Sequence, residues 1–178
     1  MKYLIYAIQR QNNNKAPGLD QIHAEILKIM VKRDAEGLTM LTRLLNKIHK
    51  SGKIPHDWLK FTFVTLPKKT KSEKCEDYRT ISLMSHVLKA FLRIIHTRIY
   101  RKCEAQLGNT QFGFRNGMGT REALYALNIL AQRGRDMNIK VYACFIDYQK
   151  AFDMVKHDKL IEILKKSGID RSDIRIIT

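Results

Sequence analysis

An uncharged run of β-branched and aromatic residues, Val141-Tyr-Ala-Cys-Phe-Ile146, ends on a carboxylate, Asp147. Together with Ile139 and Lys140 it has the composition of a short strand covered on both faces, and it predicts a strand over residues 139–147. Such a strand fixes Asp147 rigidly at its end. The residues that follow, Tyr148-Gln-Lys-Ala-Phe-Asp153, turn sharply and free backbone N–H groups for phosphate. A strand that delivers a carboxylate needs neighbours, so the chain must supply a sheet. An antiparallel hairpin is expected to follow and complete that sheet, and none is legible in the residues after 153.

Most of the remaining sequence reads as helix. Tyr3, Leu4, Ala7 and Ile8 predict a helix over 2–11, broken by Asn12-Asn-Asn-Lys15 and by Pro17-Gly18. Asp20 is the expected N-cap of a helix to Arg33. A further helix starts near Asp34, carries Leu38, Leu41, Leu45 and Ile48, and stops at Gly52. Residues 61–66 and 78–83 are short, aromatic and β-branched, which predicts a hairpin whose charged loop, 68–77, is basic at its tip. A long helix is expected over 85–107, closed by Gly108. A glycine-punctuated loop spans 111–119, and Thr120 is the expected cap of a helix to about Arg133. A last helix is expected over 157–166, closed by Gly168. Helices with one hairpin and one later strand make an α+β fold.

Charge narrows the partner. The net charge is +16, and it is not a tail: residues 1–60, 61–120 and 121–178 each hold 11 Lys and Arg, against 5, 4 and 8 Asp and Glu. Positive charge distributed over a folded body suits a polyanion laid along its surface, most simply nucleic acid. Apolar runs are far shorter than the roughly 18 residues of a membrane span, and the start lacks the pattern of a signal peptide. The expectation is an intracellular protein of nucleus or cytoplasm, not secreted and without a membrane partner. Cys75, Cys103 and Cys144 are too far apart for zinc spacing, so reduced thiols are expected, with Cys144 a small core residue.

Five blocks stand in order along the chain: Asn14-Lys-Ala-Pro-Gly-Leu-Asp20; Leu66-Pro-Lys-Lys69; Asp77-Tyr-Arg-Thr-Ile-Ser-Leu83; Gln111-Phe-Gly-Phe-Arg115 with Gly117 and Thr120; and Phe145 to Asp153 with Val155 and His157. In order and spacing they resemble the reverse transcriptase of non-LTR (LINE-type) retrotransposons, over about residues 12–160. The resemblance implies a right-hand polymerase fold: a fingers-type region with some palm helices in 1–138, and the start of the palm in 139–178. It implies template-directed transfer of a deoxynucleotidyl unit to a primer 3′-OH, with RNA template, DNA primer and deoxynucleoside triphosphates as partners. Two Mg²⁺ ions would serve it, with Mn²⁺ as the alternative ion. No specific protein partner is implied.

By the same resemblance Asp147 is the first metal-binding aspartate of the palm, with the Tyr148 carbonyl a further oxygen ligand. Phe152 is the aromatic under the sugar that rejects a ribose 2′-OH, and Lys150 and Ala151 belong to the same nucleotide-binding turn. Lys68, Lys69 and Arg79 match fingers residues that grip the triphosphate. Gln111 and Arg115 match a segment placed against template; a purely structural tight loop is the other reading. His157 fixes the turn after the active strand rather than transferring a proton.

Some residues depart from the family pattern. Thr80 replaces a usual proline, Leu19-Asp20-Gln21 a usual Pro-Asp-Gly, and Gly119 a usual serine. No Asp-Asp pair occurs in the 178 residues, although two-metal chemistry needs more than one carboxylate. The expectation is therefore a fragment that stops before the Asp-Asp hairpin and thumb and is inactive alone. Two alternatives remain: a basic nucleic-acid-binding module without catalysis, and a group II intron-type reverse transcriptase or maturase.

Overall fold

Apolar residues recurring at three- and four-residue intervals build the main core from helices far apart in sequence. The computed structural model describes residues 1–71 and 73–178; Ser72, within the predicted loop 68–77, lies outside the described residues. Helices α1 (Lys2–Gln9), α2 (Ala24–Arg33), α3 (Ala35–Ser51) and α4 (His86–Cys103) carry the core stripe. Ile8 of α1, Leu27 of α2, Leu45 and Ile48 of α3, and Leu88, Phe91 and Ile95 of α4 meet in one buried cluster. Each buried side chain of this size contributes about 1.5–3 kcal/mol of apolar burial.

Between α3 and α4 stands a two-stranded antiparallel hairpin, β1 (Thr62–Pro67) and β2 (Tyr78–Leu83), in the register Thr62↔Leu83 to Pro67↔Tyr78. After α4 come α5 (Thr120–Asp136), α6 (His157–Lys166) and α7 (Arg171–Ile177). Leu164, Ile169 and Ile174 form a second, small cluster against Ile99 and Cys103, and Ile176 joins the main core. The fold is thus helix-rich α+β, as expected. Among the described residues the hairpin is the sole sheet.

Local signals place several ends. Asp34 caps α3 by accepting from Gly37 N at 2.7 Å, and Ser85 caps α4 by accepting from Val87 N and Leu88 N. Gly52 closes α3 in the left-handed region at φ +72°, where a side chain would be strained. Gly18 is required for a different reason: a Cβ there would lie 2.6 Å from Ser85 N. The Pro-Gly turn of the first block is thereby laid directly on the junction of β2 and α4.

Several expectations need correction. Asp20 does not cap α2, which begins at Ala24 with His23 as its N-cap; Asp20 instead accepts from Ile22 N at 3.2 Å and holds a turn. Gly119 is the N-cap of α5, and Thr120 is its first helical residue. The regular α4 ends at Cys103 and continues as a 3-10 turn over Glu104–Gln106. The expected palm strand over 139–147 is not a strand, and Cys144 is exposed rather than a core residue. β-Propensity fixes no strand without a ladder, because backbone donors and acceptors must be paired by a neighbour. Here Ile139 N turns back to Gly134 O at 2.8 Å, at the end of α5. Helix α7 was not anticipated. Its hold on the body is tertiary: Asp173, buried, is ion-paired with Arg98 Nε at 3.0 Å and hydrogen-bonded with His49 Nε2 at 2.7 Å.

Candidate active site

Asp147 sits in the segment between α5 and α6, exposed, with exposed Phe145, Ile146 and Tyr148 around it in sequence. The turn after it forms as its sequence suggests. Lys150 takes a left-handed conformation at φ +51°, Met154 N donates to Lys150 O at 3.2 Å, and Val155 N donates to Phe152 O at 3.4 Å. Within this turn Phe152 meets Phe114 edge to face, with ring centroids 6.0 Å apart. Phe114 belongs to the 111–119 loop and is itself left-handed at φ +59°. Two blocks separated in sequence by the whole of α5 are therefore brought together through one aromatic pair.

The 111–119 loop is anchored on its other side. Arg115 Nε donates to Glu104 at 2.8 Å and Arg115 Nη1 to Gly108 O at 3.2 Å, while the Tyr100 hydroxyl accepts from Asn116 N at 3.0 Å. Tyr100 and the Arg115 guanidinium hold the Glu104 carboxyl below its usual range. Gln111 is exposed and its side-chain amide donates to Gly113 O at 3.0 Å. Arg115 thus has a structural partner in this structure; Gln111 keeps an exposed amide.

The hairpin arranges the third group. Lys68 N donates to Asp77 O at 2.7 Å, and Lys69 Nζ lies 3.1 Å from Asp77 Oδ1. The Lys69 ammonium is the first cause that holds the Asp77 carboxyl low. Arg79 stands opposite Leu66 in the ladder and is exposed. The pairing thus brings the Leu66–Lys69 and Asp77–Leu83 blocks side by side and gathers their cations at one end.

The donor set decides what metal this region can hold. Asp147 and the Tyr148 carbonyl are oxygen donors of the kind hard Mg²⁺ takes. Among the described residues, however, no three His, Cys, Asp or Glu side chains come together. The described residues therefore do not hold a complete ligand set for the ion, and no step through it follows from them.

Sequence reading missed one arrangement near this loop. Lys89, Arg93, His96 and Tyr100 recur at four-, three- and four-residue intervals, so they share the face of α4 opposite its core stripe. The spacing was available, but a prominent apolar stripe hides its polar complement.

Comparison with known proteins gives the family. Residues 66–177 match the sequence profile described as "Reverse transcriptase (RNA-dependent DNA polymerase)". Over 154 residues, 84% of this chain, it is 35% identical to "Probable RNA-directed DNA polymerase from transposon X-element" of Drosophila melanogaster. Over 166 residues, 92% of this chain, it is 32% identical to "Probable RNA-directed DNA polymerase from transposon BS" of the same organism. A retrotransposable element R2 polyprotein of Popillia japonica is 27% identical over 143 residues, 79% of this chain. The chain spans only 16%, 18% and 20% of these three relatives. No helix among the described residues is long and apolar enough to cross a membrane. On the profile match and these identities, the chain belongs to the reverse transcriptase family and covers part of a domain related to the RNA-directed DNA polymerases of non-LTR retrotransposons.

Proposed function

We propose that residues 1–138 are the fingers-type region, and residues 139–178 the start of the palm, of a polymerase that copies an RNA template by adding deoxynucleotides to a primer 3′-OH inside the cell. Asp147 and the Tyr148 carbonyl serve as ligands to Mg²⁺ in that polymerase. Lys150, Ala151 and Phe152 form the floor of the nucleotide pocket, and Lys68, Lys69 and Arg79 meet the triphosphate. Gln111 and Arg115 position the template-side loop. The observation that carries the reading is the contact of Phe152 with Phe114, which sets the turn after Asp147 against the 111–119 loop. Mg²⁺, when bound, supplies Lewis-acid stabilisation of charge on the transferring phosphate. This chain's own part is to present one carboxylate, an aromatic floor and cations for phosphate.

With one candidate metal carboxylate and no Asp-Asp pair, these 178 residues should not catalyse alone. The purified chain is expected to extend no oligo(dT) primer on poly(rA) with Mg²⁺ or Mn²⁺. Template-dependent extension that disappears in Asp147→Ala would show that the residues are sufficient and refute the incompleteness. An in-frame Asp-Asp hairpin encoded beyond codon 178 would favour the polymerase over the non-catalytic module. The similarity to transposon proteins supports the retrotransposon reading over the group II intron one.

A further inference from the structure

Two hollows lie side by side along α1 and α4, and both are lined by Arg10, Arg93 and His96. They form one trough. Lys15 and Lys89 add charge at one end, while Tyr6 and Tyr100 add rings toward the other. No Asp or Glu is among the residues lining either hollow. Carboxylates outside the lining have partners of their own: Glu104 with Arg115, Glu25 with Asn14 N, and Asp20, whose charge reaches His86, with Ile22 N. The rings are prepared for stacking, since His96 and Tyr100 lie with planes 28° apart and the Arg10 guanidinium rests 5.2 Å from the Tyr6 centroid.

We propose that this trough binds single-stranded nucleic acid, with the cations on phosphates and Tyr6, His96 and Tyr100 against bases. The inference rests on the polymerase reading only in taking nucleic acid as the partner; the trough itself is separate from Asp147 and from the hairpin cations. Cations alternating with two exposed rings, Tyr6 and His96, and a half-buried one, Tyr100, in a lining without an acid, are what a strand with unpaired bases requires. A duplex hides its base faces and uses only the charges. From Lys89 to Tyr100 the helix advances about 16 Å, enough for a few nucleotides. The trough also has a direction. Asn116 lines its far end, and the loop that holds Asn116 carries Phe114 onto Phe152. A strand lying in the trough is therefore led toward the turn that follows Asp147.

The test is binding of labelled rU12, dT12 and a duplex of matched length by the full 178-residue chain. It compares wild type with Arg10→Glu/Arg93→Glu, Tyr6→Ala, and a control of equal charge change on α3, Arg43→Glu/Lys47→Glu. Arg10, Arg93, Arg43 and Lys47 are all exposed, and circular dichroism checks the fold. The trough double variant should weaken binding to both single strands at least tenfold more than the control. It should also reduce the slope of log K against log salt by about 1.4, two contacts at roughly 0.7 each. Tyr6→Ala should weaken both single strands at least fivefold, leave the slope unchanged and spare the duplex. Equal loss in the trough variant and the control overturns the trough and leaves the polymerase reading standing. A loss on duplex as large as on single strands overturns the single-strand assignment. Absence of binding by wild type to any of the three refutes the nucleic-acid reading itself, and the trough with it.

Discussion

Removing the carboxylate of Asp173 should loosen the hold of α7 on α3 and α4. The Asp173 side chain is 2% exposed and makes two polar contacts, a hydrogen bond with His49 Nε2 at 2.7 Å and an ion pair with Arg98 Nε at 3.0 Å, joining α7 to α3 and α4. Breaking a fully buried pair costs about 3–5 kcal/mol because a charge is left without a partner. Here the partners are not sealed: the His49 and Arg98 side chains are 20% and 43% exposed, so water can reach them once Asp173 is gone. The lower range for hydrogen bonds to charged groups, about 1.5–3 kcal/mol, is then the better scale for Asp173→Ala. For a chain of this length each kcal/mol moves Tm by about 2–4 °C, so the expected fall is roughly 3–12 °C. Thermal and urea denaturation followed by circular dichroism measure it. A double-mutant cycle with His49→Ala should return a coupling of about 0.5 kcal/mol or more. A loss under about 0.5 kcal/mol for Asp173→Ala, which is the range of ordinary surface changes, would refute the assignment of this network as the anchor of α7.

Other outcomes follow from features already described. Burial is the first cause that depresses His86 below its ordinary 6.5, with the Lys89 charge second, so the unfolded chain takes up this proton more readily than the folded one. Stability should therefore fall as pH drops below 6.5, and His86→Gln should flatten that limb of a denaturation-versus-pH curve; a limb unchanged in the variant would contradict it. Asp170 is held low first by Lys102, so its contribution is present above its ordinary 3.8 and is lost only at more acid pH, through its lower folded value. In hydrogen exchange the amides of 88–99 should be protected and those of 140–147 should exchange rapidly; equal protection in a dilute monomer would mean that 139–147 has found a ladder. Replacing Lys68, Lys69 and Arg79 together should flatten the salt dependence of nucleic-acid binding, by about 0.9 of slope on duplex for each phosphate no longer neutralised.

The helices whose apolar stripes face the core were legible, with α6 and the hairpin strand β2 read at their full extents. Asp34, Ser85 and Gly52 act as local signals because a cap is decided within four residues. What failed was decided elsewhere. Asp20 had a competing use ahead of the helix, in an Asx turn. Residues 139–147 have strand composition, yet a strand is a property of a pair, and the hairpin is already paired with itself. Helix α7 is short and polar at its start, and its contact to His49 spans 124 positions, so no window of sequence contains its cause. At the candidate site, the resemblance named Asp147, Phe152 and the hairpin cations as expectations, and their roles stay proposals. The Phe114–Phe152 contact and the structural use of Arg115 by Glu104 were not, because both depend on how the 111–119 loop folds back.

The exposed apolar segment gives salt two opposed effects on this protein. Val141-Tyr-Ala-Cys-Phe-Ile146 has no charge, proline or glycine, and Tyr142, Phe145 and Ile146 are 75–87% exposed, the composition of a segment that pairs with its own copies. The +16 charge opposes such pairing by a repulsion that reaches about 10 Å at 0.1 M ionic strength and about 3 Å at 1 M. On the proposed nucleic-acid reading, the salt that would strip the polyanion from the cations also removes the colloidal barrier between chains. A bound polyanion lowers the same barrier by neutralisation. If the chain binds nucleic acid as proposed, freeing it of polyanion and keeping it dispersed are then competing requirements, and six uncharged residues are what make them compete.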